Sequence, residues 1–150
     1  MNFLILGSGD PTVERHLTSV QEMVSKDFKF YKGYNEQLSH EMYAGADFLL
    51  MPSRVEPCGL NQMYALRYGT VPLVRNTGGL RDTVVDFEDW QGFGVRFQYA
   101  SVGDITHAIY RALELYQDQT QFGAIRERIM QIDHSWESSA QQYLAIYPTV

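Results

Sequence analysis

The sequence predicts an α/β fold, a parallel sheet with helices on both faces, and two kinds of observation predict it. Phe3–Leu6 and Phe48–Met51 are continuous apolar runs without polar alternation, the pattern of parallel strands buried on both sides. Between such runs lie stretches whose apolar residues recur at helical spacing, as in Val13, Leu17, Val20 and Val24. Strands that alternate with helices of this length give a parallel sheet, and ligands of such sheets sit at the carboxyl ends of the strands. The 150 residues fit one domain, 1–150, with a real core.

Each element has a local reason. After the strand Phe3–Leu6, Asp10 can cap a helix and Pro11 suits its first turn. Phe28–Tyr31 reads as the second strand, and Gly33-Tyr34-Asn35 as the turn into a helix bearing Leu38, Met42 and Tyr43. The third strand, Phe48–Met51, exits through Ser53–Leu60. A helix then starts near Gly59 or Leu60 and runs through Met63, Tyr64 and Arg67, stopped by Gly69. Val71–Val74 is a short strand that must place Pro72 where no ladder donor is needed. Thr77 can cap a short helix from Gly78 through Leu80, Val84 and Val85. Asp86–Gly94 reads as a solvent-facing loop before the strand Val95–Phe97. Ser101 and Asp104 resemble a capping box for a helix bearing Ile105, Ile109, Ala112 and Leu113. Two more helices follow, one with Phe122, Ile125 and Ile129, the other starting at Ser135 and aligning Trp136, Ala140, Tyr143 and Tyr147 on one face, which helical spacing reads as a packed stripe in preference to a carbohydrate platform of Trp136, Tyr143 and Tyr147.

Composition narrows the classes. Apolar residues make up 45% and charged residues 20%, which describes a folded globular chain and not a disordered one. A formal charge of −6 argues against broad attraction to nucleic acid or anionic lipid, leaving room for a local pocket that binds a phosphorylated small molecule. The single cysteine, Cys58, excludes an internal disulfide and suits a reducing, cytoplasmic setting. Met1–Leu6 turns into Gly7-Ser8-Gly9-Asp10 too soon for a signal peptide or membrane span. The four histidines, His16, His40, His107 and His134, have no ligand-spaced partners, so neither a metal nor a cofactor is expected.

The chemistry concentrates in Ser53–Gln62 and Val74–Leu80. Gly59 lacks a Cβ, so its amide can approach a ligand closely, and a helix beginning there points free N–H groups at an anion. The bland alternative is that Pro57 and Gly59 only shape a tight turn. Glu56 can accept hydrogen bonds from two adjacent sugar hydroxyls while the helix start holds phosphates, although a glutamate before proline also suits a solvated loop. Thr77, Gly78 and Gly79 offer a second set of backbone donors, with Arg75 facing either phosphate or solvent. Gly7 and Gly9 lack the third glycine and the downstream acid of the dinucleotide fingerprint. Tyr34 is placed to stack on a nucleobase or to close the core edge. Asp86, Glu88 and Asp89 read as a solvated acidic cluster.

Taken together, Gly7-Ser8-Gly9-Asp10-Pro11, Gly33-Tyr34, Ser39-His40, Gly45-Ala46-Asp47 and Pro52-Ser53-Arg54-Val55-Glu56-Pro57-Cys58-Gly59-Leu60-Asn61-Gln62 resemble bacterial glycogen synthase and plant starch synthase. Tyr64–Pro72, Arg75–Val84, Ser135-Trp136 and Tyr143–Tyr147 continue the resemblance over nearly the whole chain. The resemblance implies most of the C-terminal, donor-binding domain of a retaining glycosyltransferase built from two Rossmann-like domains (GT-B). It implies Glu56 as the catalytic-site residue that holds glucose hydroxyls. The amides following Cys58 and at Gly59 and Leu60 would meet the sugar and diphosphate, Tyr34 would lie against adenine, and Gly78 and Gly79 would line the phosphate side. Gly9, Asn61 and Thr77 complete the donor-binding set. Asn61 departs from the threonine usual in the synthases, though its amide can still hydrogen-bond the diphosphate; Tyr64 stands where many broader relatives carry a second glutamate and where the synthases also depart, which favours ADP-glucose as donor.

The same resemblance implies that this domain's opening strand and helix, with the Arg and Lys that neutralise the leaving diphosphate, would precede Met1, and that an N-terminal domain is missing. The partners expected are ADP-glucose, ADP and, in the full-length enzyme, an α-1,4-glucan acceptor, with no nucleic acid and no membrane. The chain alone is expected not to turn over ADP-glucose. The alternatives are a non-catalytic nucleotide-binding or partner-docking module of the same fold, and a retaining transferase for another nucleotide or sugar.

Overall fold

The structure, a computed structural model, describes residues 1–147. The chain divides into two compact units, residues 1–45 and 46–150.

The first unit runs β1 (Phe3–Gly7), α1 (Pro11–Met23), β2 (Phe28–Lys32) and α2 (Glu36–Gly45). β1 and β2 pair in parallel, with Phe3 opposite Phe28 and Gly7 opposite Lys32. Asp10 caps α1 as expected: its Oδ1 accepts from the N–H of Thr12 at 2.7 Å and of Val13 at 3.3 Å, with Pro11 in the first turn. The expectation that the first apolar run is buried on both faces is not met, because Phe3 and Leu4 are exposed. In a two-stranded ribbon whose helical packing falls mainly on β2, β1 has no layer to cover it. The residue of this unit that is buried is instead a charge. Glu14 on α1 accepts from the Gly9 N–H at 2.9 Å and pairs with Lys32 at 2.7 Å.

The second unit continues as β3 (Phe48–Met51), α3 (Asn61–Tyr68), β4 (Val71–Arg75), α4 (Gly78–Thr83), β5 (Val95–Phe97), α5 (Val102–Gln117), α6 (Gln119–Ile129) and α7 (Trp136–Ile146). Its three strands form a parallel sheet in the order β3-β4-β5. Pro72 lies in the central strand without breaking the ladder. Val71 donates toward β3, to the Asp47 carbonyl at 2.9 Å, so strand alternation turns Pro72 toward β5, whose pairing begins one residue later at Leu73 opposite Val95.

Two apolar clusters hold this unit. Val74, Leu66, Leu80 and Val84 pack with Phe122, Ile125 and Ile129 of α6, while Leu73, Val95 and Phe97 pack on Ala108 and Ala112 of α5. Gly69 ends α3 in the left-handed region at φ 76°, with Thr70 N–H reaching back to the Ala65 carbonyl at 2.9 Å, as the glycine stop requires. Ser101 and Asp104 form the expected cap of α5. α4 ends at Thr83, short of Val84 and Val85, which extend toward the next loop.

Ser135 caps α7 where a helix start is expected, its side chain accepting from the Ser138 N–H, but the aromatic stripe of the helix does not pack. Trp136 is 90% exposed, Tyr143 67% and Tyr147 69%. Helical spacing aligns side chains on one face but does not supply the surface that would bury them. Among the described residues no helix is long and apolar enough to cross a membrane.

Candidate functional site

The site of interest is built where β3 and β4 end. β3 stops at Met51, and the chain crosses Pro52–Leu60 without regular structure before α3 begins at Asn61. Arg75, the last residue of β4, braces that crossing: its Nε donates to the Ser53 carbonyl at 2.7 Å and its Nη2 to the Arg54 carbonyl at 2.6 Å. Both alternatives for Arg75, phosphate or solvent, therefore give way to a third role, holding the backbone that leads into Glu56. Glu56 is half-buried, and its Oε2 accepts from the Ser53 hydroxyl at 3.3 Å.

The loop after β4 is pressed against this crossing. The Gly79 N–H donates to the Glu56 carbonyl at 3.1 Å. A Cβ on Gly78 would overlap the Glu56 carbonyl oxygen, and one on Gly79 would overlap the carbonyl of Cys58. The glycine pair is thus required by the approach of two backbones. The Gly79 amide is therefore engaged within the fold, holding the backbone of Glu56, and is not a free donor. Gly78, the first residue of α4 at φ 46°, has no acceptor for its N–H inside the helix. Thr77 precedes α4 but its side chain makes no capping bond, and its N–H is taken by the Arg75 carbonyl at 2.8 Å.

The start of α3 carries the free donors. Gly59 adopts φ 77°, a left-handed conformation that a side chain resists. Leu60 precedes the helix without a side-chain cap, and the first helical bond runs from Tyr64 N–H to the Leu60 carbonyl at 3.0 Å. Among the described residues the amides of Gly59 and Leu60 have no acceptor, and neither do the first N–H groups of α3. The helix start, with its positive dipole end, therefore faces an anion with a row of backbone donors.

Beneath the turn lies a residue the sequence reading did not single out. Gln62 is fully buried, and its Nε2 reaches the Gly59 carbonyl at 2.9 Å, the Cys58 carbonyl at 3.2 Å and Thr83 Oγ1 at 3.1 Å. Thr83 in turn donates to the Gly79 carbonyl at 2.6 Å. The signal available in sequence was a polar residue one turn into a helix whose neighbours Ala65 and Leu66 belong to the core face.

The expected site residues thus separate by unit. Glu56, Cys58, Gly59, Leu60, Asn61, Thr77, Gly78 and Gly79 belong to one pair of touching loops in the second unit, with Cys58 and Asn61 exposed. Gly9 and Tyr34 lie in the first unit. The Gly9 amide is occupied by Glu14, and Tyr34 is 87% exposed, which removes the reading of its ring as a core edge.

Of the acidic cluster, Glu88 and Asp89 are exposed as expected, but Asp86 is not a solvated residue. Asp86 is buried, and Arg111 grips it with Nη2 on Oδ1 at 2.6 Å and Nη1 on Oδ2 at 3.2 Å. The N–H groups of Arg96 and Glu88 add bonds at 2.7 and 3.2 Å, and Arg111 also meets Glu88 at 3.0 Å while lying over the Phe87 ring. Burial alone would raise the Asp86 carboxyl, but the Arg111 hydrogen bonds, the two backbone donors and the Arg111 charge outweigh it and hold the group below its ordinary value. This clamp fixes the start of the Asp86–Gly94 segment to β5 and α5.

Known proteins resolve what these loops belong to. The family model for glycosyl transferases group 1 matches residues 1–128. A glycogen synthase of Flavobacterium johnsoniae is 54% identical over 147 residues, which cover 98% of this chain and 31% of that protein. One from Thioalkalivibrio sulfidiphilus is 46% identical over 149 residues, covering 96% and 31%. The catalytic domain of Starch Synthase IV from Arabidopsis thaliana, solved with ADP and acarbose, superposes with a TM-score of 0.89 at 38% identity, over 97% of this chain and 31% of that one. A sucrose-phosphate synthase from Thermosynechococcus elongatus, at 23% identity and a TM-score of 0.69, shares the fold. The chain spans just under a third of the length of the glycogen synthases it matches. Parallel strands flanked by helices, on this sequence likeness, are the Rossmann-like architecture of a GT-B C-terminal domain, and the chain belongs to the group 1 glycosyl transferases, with homology to bacterial glycogen synthases and plant starch synthase.

Proposed function

We propose that this chain is the donor-binding part of a synthase that transfers glucose from ADP-glucose to the non-reducing end of an α-1,4-glucan, with retention and release of ADP. The observation that carries the reading is that one short loop holds both the half-buried carboxylate of Glu56 and, beginning three residues later, the free amides of Gly59 and Leu60. Amides at a helix start suit a diphosphate, and a carboxylate three residues earlier suits the hydroxyls of the attached hexose. That the starch synthase relative was solved bound to ADP and acarbose supports ADP as a ligand of this kind of domain.

In this reading Glu56 orients glucose, the Gly59 and Leu60 amides and the Asn61 side chain take the diphosphate, and Gly78 lies on the phosphate side. Transfer also requires positive charge on the departing diphosphate and a positioned acceptor hydroxyl. Arg75, adjoining the second loop, is engaged with the Ser53 and Arg54 carbonyls. We therefore expect this chain by itself to bind the donor without turning it over, the remaining charge and the acceptor contacts coming from other parts of the parent enzyme.

Calorimetric titration of wild type and Glu56→Gln with ADP-glucose, UDP-glucose and ADP tests the reading. The expected result is a preference for ADP-glucose over UDP-glucose, with the substitution weakening ADP-glucose about tenfold and ADP less than about threefold. Equal loss for ADP-glucose and ADP would remove Glu56 from sugar recognition. Binding of ADP without discrimination for the sugar would favour the non-catalytic nucleotide-binding module.

A further inference from the structure

We propose that Gln62 is the positioning residue that aims the Gly59 and Leu60 amides at the diphosphate; this rests on the donor-site reading above. In a trans peptide the C=O and the N–H point in opposite directions, and this chain has no cis peptide bond among its described residues. The Cys58 carbonyl belongs to the same peptide plane as the Gly59 N–H, and the Gly59 carbonyl to the same plane as the Leu60 N–H. By drawing both carbonyls inward to one buried Nε2, at 3.2 and 2.9 Å, Gln62 turns both N–H groups away from itself.

The amide group can serve in only one orientation. Its NH2 end has to face the two carbonyls, because the reverse would place a third oxygen against them. That orientation leaves Oε1 buried without a partner among the described residues. A buried orphan acceptor opposes folding, and an apolar side chain of similar length would avoid it. The site accepts that cost where an amide does something an apolar residue does not, which is to set the direction of two peptide planes.

Gln62 also ties the two loops together. Its contact with Thr83, and that of Thr83 with the Gly79 carbonyl, connects the turn at Gly59 to α4, whose Gly79 N–H holds the Glu56 carbonyl. These hydrogen bonds link the turn that carries the proposed phosphate donors to the backbone of the residue proposed for glucose. Gly59 completes the fit, since a Cβ there would overlap the Gln62 amide.

Gln62→Met keeps the length and volume of the side chain and removes the hydrogen bonds. The probes are inorganic pyrophosphate and ADP, with affinity measured by calorimetry and the Gly59 and Leu60 amide resonances followed by NMR. The expected result is a folded variant that binds both probes about tenfold more weakly, with the titration shifts of Gly59 and Leu60 strongly reduced and the α5 and α6 resonances unmoved. Thr83→Val, which cuts the tie to α4 and leaves Gln62 in place, is expected to weaken both probes by about threefold, and it decides the matter if Gln62→Met does not fold. Full affinity in folded Gln62→Met, or in Thr83→Val when the first variant fails, overturns the positioning role and leaves the donor site standing. Absence of Gly59 and Leu60 shifts in wild type overturns the donor-site reading and this inference with it.

Discussion

Gly79 donates its amide to the carbonyl of Glu56 at 3.1 Å, at a point where a side chain on residue 79 would collide with the carbonyl of Cys58. The backbone of the loop after β4 thus serves as the mould for the loop that carries the carboxylate. Gly79→Ala is expected to push the two loops apart, destabilising the second unit by about 1–3 kcal/mol. Urea unfolding would read the destabilisation. An unchanged midpoint together with unchanged ADP-glucose affinity would show that the close approach is dispensable.

Arg75 offers a test of bracing as distinct from charge. Its two hydrogen bonds to the Ser53 and Arg54 carbonyls require a planar fork, which lysine lacks. Arg75→Lys is therefore expected to weaken ADP-glucose by about threefold to tenfold, nearly as much as Arg75→Met, when both are titrated against wild type. Full retention of affinity by the lysine variant would show that positive charge at this position is what matters.

The Asp86–Arg111 clamp predicts both a mutational and a pH effect. Arg111→Met leaves the carboxylate of Asp86 buried without its main partner, and the expected loss is about 3 kcal/mol in urea unfolding. Because Asp86 is held below its ordinary value of 3.8 in the folded chain, its contribution is complete above that value and is lost as pH falls through the lower, folded one. Asp10, Glu14 and Asp133 are shifted in the same direction and add to the same acid limb. Asp86→Asn is expected to flatten the dependence of stability on pH below about 4, measured as urea midpoints at successive pH values. An acid limb as steep as that of wild type would remove Asp86 as a cause.

Trp136 stands clear of the described structure, so Trp136→Ala is expected to leave the thermal midpoint of this chain unchanged, within about 0.5 kcal/mol. A larger loss would restore the packed stripe that helical spacing alone suggests.

The contrast between Trp136 and Gln62 shows where the sequence was informative. Strand runs, the Asp10 and Ser101 caps and the Gly69 stop were legible because each depends on a few adjacent residues. The loops bearing Glu56 and Gly79 were legible as a pair because glycine and proline mark sharp strand exits. What remained hidden depends on distant partners. Arg75 reaches back to Ser53, Asp86 meets Arg111, and Gln62 meets Thr83, none of which spacing along the chain can announce. Packing of Trp136 and Phe3 likewise depends on surfaces that periodicity does not supply.

The central claim is that the amides of Gly59 and Leu60 bind the diphosphate beside the Glu56 carboxylate. An NMR titration of this chain with ADP tests it most directly. The expected result is saturable shifts largest at Gly59, Leu60 and Asn61, with ADP-glucose adding a shift at Glu56 that Glu56→Gln removes. Saturating ADP that leaves Gly59 and Leu60 unmoved while perturbing other residues would contradict it.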